Sequence, residues 1–255
     1  MSWAEQLAAW AIPEEIMAQA PESPWGFPPA LFAPPATPAD TPSRQRALEA
    51  LPDGGSVLDV GCGGGAGSLA LVPPAGSVTG VDTSPAMLAV FAESAAEAGV
   101  AHQTIEGSWP RKVERHDVVV CHHVLYNVSD LVPFVSALTD SAHRRVVCEL
   151  TAVHPQASLN DLWQHFWGLA RPTGPTAEDA ADVIRSTGVD VQVERWQRPN
   201  RHAAHADRTH MVEFIRRRLC LPADRDTEIE SLLPGDAMAP PSDVVTIWWN
   251  GRSGS

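Results

Sequence analysis

The side chains with the clearest chemical possibilities fall in three short stretches. The first is Asp59-Val60-Gly61-Cys62-Gly63-Gly64-Gly65, which follows the apolar run Ser56-Val57-Leu58. A strand that empties into such a turn lets backbone N–H groups approach a ligand, because residues without Cβ leave the space clear. The second is Asp82-Thr83-Ser84-Pro85. Its acid lies about 20 residues after Gly61, where a dinucleotide site places the carboxylate that takes the ribose hydroxyls. The third is His122-His123, with Tyr126 and Asn127 close behind. An imidazole there could take a proton at neutral pH, and the other two groups could orient a ligand. Read alone, the glycine turn also satisfies a G-x-G-x-x-A pattern through Gly61, Gly63 and Ala66, so a nicotinamide-dependent oxidoreductase stays open at this point.

The elements that would position these groups alternate. Apolar strands are predicted at Ser56–Val60, Ser77–Asp82, His102–Glu106, Asp117–Cys121 and Arg145–Leu150. Helices are predicted at about Ala66–Leu71, after Ser84-Pro85 with Met87, Leu88, Phe91 and Ala95 on one face, and near Leu131–Leu138. Buried strands alternating with helices imply an α/β fold with a parallel sheet covered on both faces. The C-terminal third adds an apolar helical stripe at Leu159, Leu162, Trp163, Phe166 and Trp167, and a capping box at Thr176 and Asp179. Strands at Val189–Trp196 and Val244–Trp249 would complete the sheet, with a helical insertion at about 199–241 between them. Residues 1–45 form a separate arm of short helices and a proline-dense stretch, Pro21 through Pro42, in which neither a continuous helix nor a central strand can form.

Taken together, Val57 to Gly65 resembles the first motif of class I S-adenosylmethionine-dependent methyltransferases, including the acidic Asp59 inside the strand. Val81 to Leu88 is similar to their second motif, and Asp117 to Asp130 to their fourth strand and the loop after it. The resemblance covers about residues 45–152 well and the rest in outline. The longer pattern, with Trp25-Gly26-Phe27-Pro28 before and Arg171 to Thr176 after, resembles bacterial members of unassigned substrate. The resemblance implies a Rossmann-like, mostly parallel seven-stranded sheet with its last strand antiparallel, and S-adenosylmethionine as cofactor. By position, Gly61, Gly63 and Gly65 would approach the methionine part of the cofactor, Asp82 the ribose, and Thr83 and Met87 the adenine. Asp59 and Cys121 would complete the cofactor-lining set. Gly107-Ser108-Trp109 stands where many relatives carry Gly-Asp-Ala; Ser108 replaces the acid, and Trp109 is the candidate to cover the ring instead.

Methyl transfer from a sulfonium needs alignment and exclusion of water, and a general base only where the acceptor must lose a proton. His122, His123 and Tyr126 are the catalytic candidates, although one of two adjacent histidines on an emerging strand should point into packing. Trp25, Phe27, Trp163, His165, Phe166 and Trp167 could wall an acceptor pocket, with the arm covering the site. The competing reading of Trp163 and Trp167 is an ordinary core stripe.

Composition excludes more than it assigns. Across 255 residues the net charge is −13, and no basic stripe offers itself to nucleic acid. The segment after the fourth strand, His122-His123-Val124-Leu125, does not resemble the Asp/Asn-Pro-Pro-aromatic motif of amino-methylating DNA enzymes. No metal is expected: His202, His205 and His210 lack a Cys or carboxylate partner at ligand spacing. The four scattered cysteines, the absence of an export signal and the absence of a long apolar run lead to a cytoplasmic expectation, with no membrane partner. The reading is methyl transfer to a small molecule. A dehydrogenase is the first alternative, though the sole tyrosine, Tyr126, lacks the lysine partner of a Tyr-x-x-x-Lys pair. A non-catalytic S-adenosylmethionine-binding protein is the second.

Overall fold

The computed structural model describes residues 1–26, 32–198, 208–233 and 242–252. Seven strands form one sheet: β1 (Ser56–Val60), β2 (Ser77–Asp82), β3 (Ala101–Glu106), β4 (His116–His122), β5 (Ala142–Thr151), β6 (Gln192–Arg198) and β7 (Ser242–Asn250), in the spatial order β3-β2-β1-β4-β5-β7-β6. The first five pair in parallel. The last strand, β7, runs antiparallel to both β5 and β6. The order reverses between β1 and β4, and in such sheets the crevice outside the strand ends at the reversal is where ligands bind.

The central strands are buried on both faces, which is why they read as unbroken apolar runs. Val57, Val78, Val118, Val120 and Val147 meet Phe91 and Ala95 on one side. Leu58, Val119, Cys121, Val146 and Cys148 meet Phe134, Val135 and Leu138 on the other. The covering helices are α4 (Pro85–Glu97) and α5 (Leu131–Ser141), with α7 (Ala177–Ser186) packed on α5. Helix α4 starts at Ser84, whose Oγ accepts the Met87 N–H, with Pro85 in its first turn. Helix α7 carries the expected box, Thr176 Oγ1 accepting the Asp179 N–H while the Asp179 carboxylate takes the Thr176 N–H.

One element departs from expectation. In place of a helix over Ala66–Leu71 the chain makes turns and a single 3-10 turn, Leu69–Leu71. Gly65 and Gly67 favour a non-helical path at its start, and Pro73-Pro74 cannot continue a helix at its end. The short connection leaves Ser68 free to reach back to β1.

The arm divides into parts that pack in different places. Helix α1 (Trp3–Ala8) sends Trp3 under the sheet, where its indole N–H donates to the Val128 carbonyl at 2.7 Å. Helix α2 (Glu14–Met17) places Ile16 in a third core. That core is built from Leu159, Leu162 and Trp163 around α6 (Asn160–Trp167), with Val212, Ile215 and Leu219 from α8 (Arg208–Arg218) and Ile229 from α9 (Asp226–Leu232). Residues 32–41 run over the glycine turn into α3 (Pro42–Leu48). Of the expected helical insertion, α8 and α9 are described; 199–207 and 234–241 lie outside the described residues. Among the described residues no helix is long and apolar enough to cross a membrane.

Candidate active site

Strand β1 delivers the chain into a turn that side chains would obstruct. Gly61 has φ +70°, and its N–H and that of Cys62 both donate to the Val81 carbonyl, at 2.8 and 3.1 Å. A Cβ at Gly61 would collide with the Val124 methyl groups, and one at Gly64 with the carbonyl of Phe32. The turn is therefore pinched between the loop after β4 and the arm, and only a residue without Cβ fits.

Two carboxylates hold this turn. Asp82, at the end of β2, accepts the Gly63 N–H at 3.0 Å and the Ser84 N–H at 2.9 Å, one on each oxygen. Each oxygen retains a further lone pair for a ligand hydroxyl. Asp59 is buried in β1 and accepts both the N–H and the hydroxyl of Ser68, at 3.1 and 2.7 Å. Burial pushes its carboxyl up to about 7, with the charge of Asp82 acting the same way and the Ser68 hydrogen bonds opposing. Asp59 is thus a buried strut that ties β1 to the segment after the turn.

Above the turn lies a cavity of about 1470 Å³. Of the residues predicted to hold a cofactor, Asp59, Gly61, Gly63, Asp82, Thr83, Met87, Gly107, Ser108 and Trp109 all line it. Trp109 is fixed by an indole N–H bond to the Phe134 carbonyl at 3.1 Å, which sets its ring beside Gly107 and Ser108. Two predicted members are not at the wall. Gly65 turns toward Leu69 and Phe91, and a Cβ there would press on those side chains. Cys121 is fully buried in the core on the α5 side, next to Cys148, and burial with that neighbour holds its thiol well above the ordinary range. Alternation along β4 explains it: the side chain after Val120 faces the α5 layer, and the next one, His122, faces the cavity.

The catalytic candidates separate as sharply. Tyr126 is buried away from the cavity, its hydroxyl donating to the Thr151 carbonyl at 2.8 Å and its ring stacked on Trp3. Burial raises its hydroxyl far above the usual phenol range, so it is a structural anchor and not a base. His122 and His123 both reach the cavity. Burial pulls His122 down to about 4, so it is neutral at pH 7, and its Nε2 is buried without a hydrogen-bond partner. His123 is more exposed, has φ +60°, and places Nε2 at 3.1 Å from Glu149 Oε1 and 3.0 Å from Arg198 Nη1.

Glu149 and Arg198 were not anticipated from sequence. Glu149 sits opposite His122 in the β4–β5 register and is paired with Arg198 at the end of β6. Burial alone would raise its carboxyl; His122, which is charged at acid pH, the hydrogen bond with His123 and the Arg198 guanidinium reverse that and hold it below the ordinary carboxylate range. The available signal was an acid within Val146-Val147-Cys148-Glu149-Leu150, an otherwise apolar strand with both faces covered.

The aromatic residues proposed for an acceptor wall lie elsewhere. Trp163 is wholly buried, with the Arg171 guanidinium 5.0 Å over its ring. Trp167 donates its indole N–H to the Leu219 carbonyl at 2.7 Å, and Phe166 lies under Arg225. His165 bonds Glu228 at 2.8 Å. Trp25 is half exposed beneath Arg218. The helical stripe is core, and none of these side chains lines the cavity. Phe27 falls outside the described residues, as do His202 and His205. The arm contributes Phe32 through Thr41 instead. Among the described residues no three His, Cys, Asp or Glu side chains gather as metal ligands.

Comparison with known proteins agrees with this architecture. A family model described as a methyltransferase domain matches residues 58–149. A ubiquinone biosynthesis O-methyltransferase of Methylobacterium nodulans is 42% identical over 98 residues, 37% of this chain and 37% of that protein. The enzyme of the same description from Pseudomonas savastanoi is 41% identical over 81 residues, 30% of this chain and 35% of that protein. The matched segment thus spans little more than a third of these curated relatives. Among solved structures, the YcgJ protein from Bacillus subtilis superposes with a TM-score of 0.57 at 19% identity, covering 83% of this chain and 99% of that one. The [4+2]-cyclase SpnF superposes with a TM-score of 0.54 at 15% identity, covering 83% of this chain and 80% of that one. At such identities the superpositions speak for the fold, and a cyclase on the same scaffold shows that the fold alone does not name a reaction. Residues 58–149 thus match a methyltransferase domain, set in a sheet whose strand order and glycine turn are similar to those of class I S-adenosylmethionine-dependent methyltransferases.

Proposed function

We propose that the protein transfers a methyl group from S-adenosylmethionine to a small-molecule acceptor. The observation that carries this reading is the bare wall of Gly61 to Gly64 in one cavity with the Asp82 carboxylate. The site has the chemistry the cofactor needs: backbone without Cβ for the amino-acid end, a carboxylate with free lone pairs for a diol, and a half-buried indole at Trp109 for a purine. At about 1470 Å³ the cavity exceeds the range of about 300–1000 Å³ that one ligand ordinarily fills, leaving room for an acceptor beside it. When bound, the cofactor supplies an electrophilic methyl on a sulfonium. The chain would hold the ribose through Asp82, border the base with Met87, Ser108 and Trp109, and keep water out with the arm at Phe32 to Thr41. His122, His123, Glu149 and Arg198 line the same cavity, and we assign them to the acceptor side.

The net charge of −13 supports a small acceptor over a polyanion such as nucleic acid. Cys62, Cys121, Cys148 and Cys220 are all free thiols, which supports a reducing compartment, the cytoplasm. Incubation with S-adenosylmethionine and a panel of hydroxylated, amino and thiol small molecules should release S-adenosylhomocysteine with at least one class. Binding of the cofactor with no release across the panel would favour a non-catalytic binding protein instead.

A further inference from the structure

His123 is held at both ends by one residue. Its backbone N–H donates to the Glu149 carbonyl at 2.6 Å, which fixes the φ of +60° that a β-substituted residue seldom adopts. Its Nε2 meets the Glu149 side chain at 3.1 Å. Left-handed conformations of this kind persist where the surroundings impose them, and they concentrate at functional sites. The imidazole itself is not packed away: its side chain is 37% exposed, whereas that of Glu149 is 5% exposed. A buried acid thus grips an accessible histidine at the cavity wall.

Resting on the proposed methyl transfer, we propose that Glu149 positions His123 as the general base for a hydroxyl acceptor, by fixing the Nε2–H tautomer and leaving the Nδ1 lone pair free. Two groups compete for Nε2. Arg198 Nη1, at 3.0 Å, would donate to an unprotonated Nε2; Glu149 Oε1 would accept from a protonated one. Glu149 decides the contest, because an imidazole lone pair facing an ionised, buried carboxylate oxygen is repelled with little solvent to screen it. Arg198 is about a third exposed and already donates to Glu149 through Nη2, so its second nitrogen can turn to water. Its fixed charge also keeps Glu149 ionised, so that Glu149 takes no proton itself. The remaining titratable neighbour, His122, is neutral at pH 7 and adds no competing charge.

The step balances without another reactant. The acceptor oxygen forms its bond to the methyl group as the carbon–sulfur bond breaks, leaving neutral S-adenosylhomocysteine. The hydroxyl proton passes to His123 Nδ1, the resulting imidazolium is stabilised by Glu149, and the proton leaves to water. Amine and thioether acceptors, which attack through an existing lone pair, need no such base. The arrangement therefore suits an acceptor of the hydroxyl class.

The test is 15N NMR of the full chain with labelled histidine, the His123 signals identified by their loss in His123→Gln. In the wild type, near-complete protonation at Nε2 and an unprotonated Nδ1 are expected at neutral pH. In Glu149→Gln the preference should relax to a mixture of tautomers, with the affinity for S-adenosylhomocysteine changed less than 2-fold by calorimetry. A wild-type His123 protonated at Nδ1, with Nε2 accepting from Arg198, would overturn the proposal, since that nitrogen could then take no proton. Failure of S-adenosylhomocysteine to bind the wild type would instead strike the methyl-transfer reading, so the two failures are distinct.

Discussion

Asp82→Ala should weaken S-adenosylhomocysteine binding by about 100-fold, the equivalent of one or two charge-assisted hydrogen bonds at about 1.5–3 kcal/mol each. The carboxylate would act in two ways. Its free lone pairs would take the ribose hydroxyls, and its occupied ones orient the Gly63 and Ser84 N–H groups at 3.0 and 2.9 Å. Alanine removes both, so the ligand loses a partner and the glycine turn loses a tether. The cost to folding is smaller, about 1 kcal/mol, because both N–H groups lie in a part-buried region that water can reach. Calorimetric titration beside a thermal melt separates the effects. An unchanged affinity in a folded Asp82→Ala variant would remove Asp82 from the ribose.

Trp163→Ala should have the opposite profile: a loss of stability of about 3–5 kcal/mol, as for large aromatic deletions in packed cores, with the affinity for S-adenosylhomocysteine unchanged. Trp163 is wholly buried among Leu159, Leu162, Leu219 and Ile229, and α6 does not reach the cavity. Its ring also supports the Arg171 guanidinium, whose Nη1 and Nη2 donate to the carbonyls of Ala11 and Trp10. The deletion would therefore loosen the arm as well as open a cavity. Trp163→Phe should cost far less, about 1 kcal/mol, because the indole N–H it removes has no hydrogen-bond partner. Urea titration reads these differences. A Trp163→Ala protein of native stability that has lost methyl transfer would return this residue to an acceptor pocket.

The contrast between Asp82 and Trp163 shows which features sequence can carry. Strands β1, β2 and β4 were legible because parallel strands buried on both faces read as apolar runs, and the turns between them declare themselves through glycine and proline. The same logic located Asp82, which terminates the next parallel strand, one crossover after the glycine turn. Trp163 was ambiguous for an equally physical reason. An apolar stripe at helical spacing reports that one face is covered, and it does not report whether protein or ligand covers it. The missing helix after Gly65 depended on a conflict between Leu69-Ala70-Leu71, which favour helix, and the flanking Gly67 and Pro73, which won.

Faces were harder than elements. Cys121 and His122 are neighbours in sequence, yet one lies in the core and the other at the cavity, a difference fixed by the parity of the strand alone. The Glu149–Arg198 pair was illegible for a different reason. Arg198 belongs to β6, which joins the sheet beyond β7, and only the antiparallel pairing of β7 with β5 brings its side chain to Glu149. Such a pairing follows from topology and leaves no local pattern. An isolated acid in an apolar strand was the trace of it, and it pointed to Glu149 without naming its partner.

The central claim is that the cavity over Gly61 to Gly64 takes S-adenosylmethionine, and parallel calorimetric titrations of the full chain with S-adenosylhomocysteine and with NADH test it most directly. The account predicts saturable one-to-one binding of S-adenosylhomocysteine, weakened by Asp82→Ala, and no heat of binding from NADH. Saturable binding of NADH with none of S-adenosylhomocysteine would contradict it.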